Sequence, residues 1–435
     1  MRNNQIEARE FKNISPADVA DRLERLPEDS ARELLLELPT AEAAGIVAEL
    51  EKEKAAELLH GFDIGKLVAT LQYLSPNQIA DLLPELPASM RETVFAQFPA
   101  DLVSAVQALL RYPPDSAGGI MDNRFIAVQA DDTGSVALDR LRSGPGQRSG
   151  DVTYIYVVDS SQQLVGVVSL RDLVFSGADA RVGAIMNREV RFLRAADDQE
   201  EISKKVQHYP YLGFPVVDES QRLVGVVRIR DAIRVAQSEA TEDMQLMVGL
   251  SGEERIWTPW KHSIAKRLPW LGVNLVTALG AATVVSFFEE TIARWTALVA
   301  FLPLICAVAG NAGNQALTVI IRSLALGEVA PGDATRALRK ELFIGAANGL
   351  ALALAIGLIA YGWKQSILLG VVAGSAMLLN QMIGALAGVA IPFGLKRCGI
   401  DPALASSIFV TALTDTMGFL VFLGTATAAM SVFDL

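Results

Sequence analysis

DPALASSIFVTALTDTMGFLVFLGTATAAM, residues 401–430, is the stretch on which the reading of this chain turns. Asp401-Pro402 suits a helix start, and the apolar run behind it exceeds the ~20 residues a helix needs to cross a bilayer. Deep inside that run stands Asp415. Ser407, Thr411, Asp415 and Gly418 fall at i−8, i−4, i and i+3, so one face of the helix is a polar stripe with a carboxylate in its middle. A lone charge near mid-bilayer costs about 3 kcal/mol or more even on insertion scales, so Asp415 must be protonated, hydrated or matched by a cation. A structural carboxylate paired with a buried base is the competing reading. No Lys or Arg lies in the interior of any apolar stretch, and the nearest, Arg322 and Lys364, stand at segment ends. A path for an ion is therefore the better reading. A divalent ion is better matched by two carboxylates than by one, and a two-fold homodimer placing Asp415 of each chain on a shared axis supplies them.

Working outward, apolar stretches at roughly 268–288, 292–326, 341–363 and 366–395 precede the last one at 404–433. Five crossings put the two termini on opposite sides. Lys261, Lys266 and Arg267 precede the first span, Arg322, Arg336, Arg339 and Lys340 surround the loop between the second and third, and Lys396 and Arg397 lie between the fourth and fifth. The opposite loops offer only Arg294 and Lys364. By the positive-inside rule the N-terminal half is cytoplasmic and the C-terminus outside. The second span, FLPLICAVAGNAGNQALTVIIRSLALG (301–327), reads as broken by Pro303, Gly310, Asn311, Gly313 and Asn314. Its glycines are explained by close helix packing, whereas two Asn and a Gln within five residues suit a cavity wall better than lipid.

Of 435 residues 51% are hydrophobic and 20% charged, more apolar than a typical soluble chain. The excess is uneven: residues 257–435 carry 11 Lys/Arg against 8 Asp/Glu, leaving 27 against 41 before them, so a net −14 half precedes a net +3 half. That composition argues against a single soluble enzyme, against disorder and against a nucleic-acid partner, since an acidic half repels phosphate. No catalytic residue set is read, and no obligatory protein partner is implied. Cys306 and Cys398 form neither a disulfide framework nor a zinc cluster. The N-terminal MRNNQIEAREFKN has no apolar core, so the first span is expected to act as its own insertion signal.

Residues 15 to about 112 read as short helices punctuated by Pro (VADRLERLP, ARELLLELP, IADLLPELP). Such segments need stacking, which gives a right-handed or solenoid-like all-α superhelical domain. Next comes a repeat. IYVVDSSQQLVGVVSLRDLV (155–174) and FPVVDESQRLVGVVRIRDAI (214–233) agree at twelve of twenty positions, each behind a methionine-containing lead, GGIMDNRFIAV and GAIMNREVRFL. Each copy reads as strand, turn, strand, helix. The pair resembles tandem CBS domains, an α/β regulatory module, which makes an adenine nucleotide such as ATP a candidate ligand at Arg171 and Asp172. The GxxSxxD element of that module is present at Gly166, Ser169 and Asp172, while Arg228 replaces the hydroxyl in the second copy. The expected domains are thus 1–117 helical, 118–233 a CBS pair (118–178 and 179–233), 234–267 a connecting helix, and 268–435 an α-helical five-span membrane domain.

In that order, and with AGNAGNQ in the second span and DPALxS followed by TALTDTMG in the fifth, the chain resembles the MgtE family of magnesium channels along nearly its full length. The resemblance implies a homodimer in the inner membrane whose pore holds hydrated Mg2+ beside Asp415, with Asn311, Asn314 and Thr318 along the path. It also implies that cytosolic Mg2+ closes the pore by binding Asp198, Glu200, Asp231, Glu239, Glu242 and Asp243, with Asp401 at the membrane face. Magnesium suits such residues, because it sheds water reluctantly and meets one or two carboxylates through its hydration shell. Softer metals would want thiolate or imidazole, and His60, His208 and His262 lie outside the spans. Pro210 and Arg234 stand where the family pattern has acids, Ser407 where Asn is common, and AGN where GGN is usual. Fewer or weaker regulatory sites follow, and an internal salt bridge is expected of Arg234. Two alternatives stay open: a divalent-cation carrier coupled to H+ or Na+, and a membrane-anchored nucleotide-sensing protein.

Overall fold

The computed structural model describes residues 14–143, 152–252, 254–256, 258–404 and 406–433. The MRNNQIEAREFKN segment lies outside them. The chain forms two compact units that divide after Ala236.

The first unit opens with α1 (Pro16–Glu24), α2 (Glu28–Glu37), α3 (Thr40–Val47), α4 (Lys52–Leu59), α5 (Ile64–Leu71), α6 (Pro76–Leu82), α7 (Ala88–Gln97) and α8 (Ala100–Leu109). Proline starts most of them: Pro27, Pro39, Pro87 and Pro99 occupy N-caps, and Pro16 and Pro76 the first helical position, where a missing N–H costs nothing. Each helix packs on the one two places along, α1 on α3, α3 on α5, α5 on α7, and α2 on α4, α4 on α6, α6 on α8. Leu23, Leu35, Leu58, Leu59, Leu67, Leu71 and Ile79 fill the stack at 0% exposure. This is the expected superhelical stack of short helices.

After α9 (Ala117–Ile120) the repeat builds two three-stranded sheets. The first joins β1 (Ala127–Gln129), parallel to β2 (Tyr154–Val158), with β3 (Leu164–Ser169) antiparallel to it. α10 (Gly134–Ser143) lies between β1 and β2, α11 (Leu170–Phe175) follows β3, and α12 (Val182–Ile185) leads into the second copy. There β4 (Leu193–Arg194), β5 (Gly213–Val217) and β6 (Leu223–Arg228) repeat the pattern, with α13 (Gln199–His208) inserted and α14 (Ile229–Met247) following. The copies share their turns in detail. Asp159 Oδ1 accepts from the backbone N–H of Ser161 and Gln163, as Asp218 Oδ1 does from Ser220 and Arg222, and Gln162 and Gln221 both take positive φ. The methionine leads are exchanged: Met121 packs on Gly225 of the second copy and Met186 on Gly166 of the first. An apolar core runs unbroken from the helical stack into the second copy through Leu193, Ile202, Phe214, Val216 and Val227.

The stretch 234–267 is not one helix. α14 continues from the second CBS copy to Met247, a turn follows in which Gly249 and Gly252 take φ of 77° and 82°, and α15 (Trp260–Ser286) restarts behind Pro259. Left-handed backbone of that kind ends a helix. Gln245 closes the turn, donating from Nε2 to Glu254 O (2.7 Å) and accepting from Glu254 N–H (2.9 Å).

In the second unit α15 is followed by α16 (Glu289–Arg294), a 3-10 turn at Thr296–Ala300, α17 (Leu302–Ala325), α18 (Ala334–Lys364), α19 (Ile367–Arg397) and α20 (Ser406–Phe433). Among the described residues five helical stretches are long and apolar enough to cross a membrane. α19 is their centre, packing on α17, α18 and α20. One expectation fails here. α17 runs unbroken through Gly310–Asn314, and the change of helix type comes earlier, at Phe301, between the 3-10 turn and α17. The glycines serve packing: a Cβ on Gly388 would lie 2.4 Å from Gly313 O, and one on Gly384 2.6 Å from Ala309 O.

Candidate functional site

Asp415 lies about a third of the way along α20, half-buried, and its carboxylate has no hydrogen bond or ion pair among the described residues. Ser407 and Thr411 are half-buried on the same stripe, while Gly418 turns fully into the helix bundle. α20 packs against α17 through small residues. A Cβ on Gly310 would meet Thr414 Oγ1 at 3.5 Å, one on Gly313 would meet Val410 at 2.6 Å, and Cys306 Sγ reaches Asp415 O at 3.8 Å. Asn311, Asn314 and Thr318 sit at i, i+3 and i+7 of α17, one edge of the helix. Asn311 and Thr318 are exposed. Asn314 is partly buried, its Oδ1 has no partner, and its backbone oxygen accepts from Thr318 Oγ1 (2.9 Å). The carboxylate of Asp415 and the amide oxygen of Asn314 stand on helices that pack together, and both are oxygen acceptors of the kind a hard, hydrated cation takes.

Two further amides, absent from the residues singled out in the sequence, lie on α19 against α17. Asn380 and Gln381 are 0% and 1% exposed. Asn380 Nδ2 donates to Ile305 O (3.3 Å) and Gln381 Nε2 to Val308 O (3.4 Å), while both side-chain oxygens lack partners. Their signal is there, as adjacent amides in an apolar run; the denser amides of the second span overshadow it.

The acids expected to hold regulatory ions fall in both units. Asp198 caps α13, accepting from Glu201 N–H (2.9 Å), and Glu200 pairs with Lys204 (3.1 Å). Asp231 stands in the first turn of α14, where burial holds its carboxyl above the usual carboxylate range against the pull of Arg230, Arg234 and Arg228. Glu239, Glu242 and Asp243 lie further along α14. Asp401 is exposed, its Oδ1 accepting from Ala403 N–H (2.7 Å) ahead of α20. Among the described residues no group of three His, Cys, Asp or Glu gathers around one point. Arg234 does form the expected internal salt bridge: it pairs with Glu49 (3.5 Å), which Arg230 also reaches (3.4 Å). Pro210 is exposed.

In the first CBS copy Ser169 Oγ caps α11 at Asp172 N (3.0 Å) and donates to Asp172 Oδ2 (2.7 Å), with Arg171 exposed beside it. In the second, Arg228 instead donates to Asp122 Oδ2 (2.6 Å); Asp122 is 1% exposed and also holds Arg124 (3.3 Å). Nothing in the local sequence announces that buried ion pair. The end of α14 lies on the membrane helices: Leu246 and Met247 pack against Leu317 and Ile321 of α17, Ala387 of α19, and Ala403 and Val410 beside and within α20.

Comparison with known proteins follows the same divisions. The family model MgtE, described as a divalent cation transporter, matches residues 302–425, that of the MgtE intracellular N domain matches 14–115, and that of the CBS domain matches 117–178 and 182–238. The magnesium transporter MgtE of Bacillus subtilis (strain 168) is 32% identical over 426 residues, 97% of this chain and 94% of that one. Its counterpart from Thermus thermophilus is 34% identical over 425 residues, 96% and 93% of the two chains. Among solved structures, the cytosolic domain of the Mg2+ channel MgtE in complex with ATP aligns with TM-score 0.49 and 33% identity, covering 52% of this chain and 93% of that one.

Proposed function

With the chain's membership of the MgtE family of divalent cation transporters as premise, we propose that it is a homodimeric magnesium channel of the inner membrane, closed by cytosolic Mg2+. The observation that carries this reading is Asp415, a carboxylate inside an apolar helix with no partner among the described residues. Apposed in two copies, two such carboxylates match a divalent ion through its water shell. Asn311, Asn314 and Thr318 line the path on α17, offering neutral oxygens that hold a hydrated ion without stripping it. We favour a passive path over a coupled carrier: such a path need only offer oxygens to a hydrated ion, and Asp415 with Asn311, Asn314 and Thr318 would do so. The positive-inside pattern puts the cytosolic unit inside and the C-terminus outside.

Gating is assigned to the acidic half. Because no three acids of the described residues gather around one point, we assign the regulatory ions to sites completed between copies, drawing on Asp198, Glu200, Asp231, Glu239, Glu242, Asp243 and Asp401. The end of α14, packed on α17 and against the turn before α20, is the element through which that occupancy reaches the path. ATP, if bound, is assigned to the first CBS copy at Arg171 and Asp172; the second copy lacks the hydroxyl and its Arg228 is committed to Asp122. The test is Mg2+ uptake into proteoliposomes. Asp415→Ala should abolish it and Asp415→Asn should leave little, with the protein still monodisperse. Near-normal uptake by a folded Asp415→Ala protein, or uptake by the parent chain that requires a proton or sodium gradient, would count against the channel reading.

A further inference from the structure

We infer that Asn380 is a positioning residue for the ion site, holding α20 against α17 one turn from Asp415; this rests on Asp415 carrying the ion. Asn380 is wholly buried on α19, the central helix. A carboxamide in an apolar interior costs free energy unless both its ends are bonded. Here only the Nδ2 end is, to Ile305 O of α17 at 3.3 Å, and Oδ1 has no partner. Packing alone would be better served by an apolar side chain of the same volume.

The other helix it meets explains why the amide sits there. A Cβ added to Gly418 would lie 2.4 Å from Asn380 Nδ2 and 3.0 Å from Cys306 Sγ, so α20 approaches through the one residue type that has no side chain. Gly418 follows Asp415 by three residues, and Cys306 Sγ reaches Asp415 O at 3.8 Å. Three helices therefore converge on one amide within a turn of the carboxylate. Gln381 repeats the device at the next residue, donating to Val308 O, so that two consecutive amides of α19 grip the Ile305–Val308 turn of α17. That turn leads directly into Gly310, Asn311 and Asn314. Asn380 thus fixes where the carboxylate of α20 stands relative to the amides of α17, and so the size of ion, with its water, that the two accept.

The experiment is uptake of Mg2+ and of Ca2+ into proteoliposomes by the full chain, with Asp415→Ala as control. Asn380→Leu keeps the volume and removes the donor. Mg2+ uptake should fall on the order of tenfold or more, as expected when a reacting group is displaced by a fraction of an ångström, and the Mg2+ to Ca2+ ratio should change. A folded Asn380→Leu protein with unchanged ratio overturns the inference, whether its rate falls or not, because a packing role alone would not alter ion preference. If that variant does not fold, a second pair decides. Gly418→Ala should lose uptake by collision with the amide, and Gly418→Ala combined with Asn380→Ala should regain part of it with an altered ion ratio; no recovery overturns the inference. Transport by Asp415→Ala would instead remove the ion-ligand reading, and the Gly418/Asn380 recovery would still report the contact.

Discussion

A carboxylate's surroundings decide what its loss costs, and three acids of the N-terminal unit separate the cases. Asp122 is 1% exposed and pairs with both Arg124 and Arg228; removing one partner of a buried ion pair leaves the other uncompensated, at about 3–5 kcal/mol. Glu49 meets two guanidinium groups that are more than half exposed, so its pairs contribute about 1 kcal/mol or less. Urea unfolding of the N-terminal unit should therefore show Asp122→Ala strongly destabilised and Glu49→Ala barely affected; equal losses would contradict the assignment. Asp81 is the third case. Its side chain keeps solvent access, yet the protein crowded around it pushes its pKa from 3.8 up to about 6, with Lys52 opposing and Asp231 reinforcing. A folded-state pKa above the unfolded one means that the folded form takes up the proton first, so this group adds stability as pH falls from about 6 towards 4 and withdraws it as pH rises again. Asp81→Asn should flatten that part of the stability profile relative to the parent unit, and parallel profiles would remove Asp81 from the account.

Helix-to-helix approach distances set the next level of constraint. α17 and α19 meet backbone to backbone, with Gly388 facing Gly313 O and Gly384 facing Ala309 O, as small residues allow in a bilayer. Gly388→Ala should drive the two helices apart and lower both Mg2+ uptake and the yield of monodisperse protein. Gly280→Ala on α15, where an added Cβ meets nothing within 4 Å, should change neither; matching effects from the two would show that glycine content rather than contact matters. The same helices show what the sequence reveals and what it hides. Five long apolar runs, the repeat and the Pro-started helices are all legible, because each is a local periodicity or a local stop. The break expected at Gly310–Asn314 is absent, since glycines that fit a neighbouring backbone look identical, in one dimension, to glycines that interrupt a helix. Asn380 escapes a sequence reading for the converse reason: its meaning comes from Ile305 and Gly418, which are distant in sequence. The turn at Gly249 and Gly252 is readable, but the stretch around it reads as one connector because its polarity is continuous.

At the scale of the whole molecule the decisive quantity is charge. The half preceding residue 257 carries a net −14, and in a homodimer that charge is doubled within one assembly, so without counter-ions the acidic faces repel. Ions that bind the compact arrangement better than the open one shift the balance towards it, each tenfold preference contributing about 1.4 kcal/mol, so several weak sites together suffice. On the proposed gating, Arg234 and Pro210 supply no carboxylate where the sequence reading expects acids, and Arg234 is committed to Glu49. Closure should accordingly need more Mg2+ than full ligation would, or respond less steeply. Protease protection of residues 234–267 should rise with added Mg2+ across the millimolar range, and uptake should fall in step with it. Removing residues 1–233 should abolish both responses. Arg234→Asp, which restores an acid and releases Glu49, should move both curves to lower Mg2+. If protection and closure ignore Mg2+, or persist without residues 1–233, the acidic half is not the sensor; if Arg234→Asp leaves both midpoints in place, the guanidinium is not what weakens it.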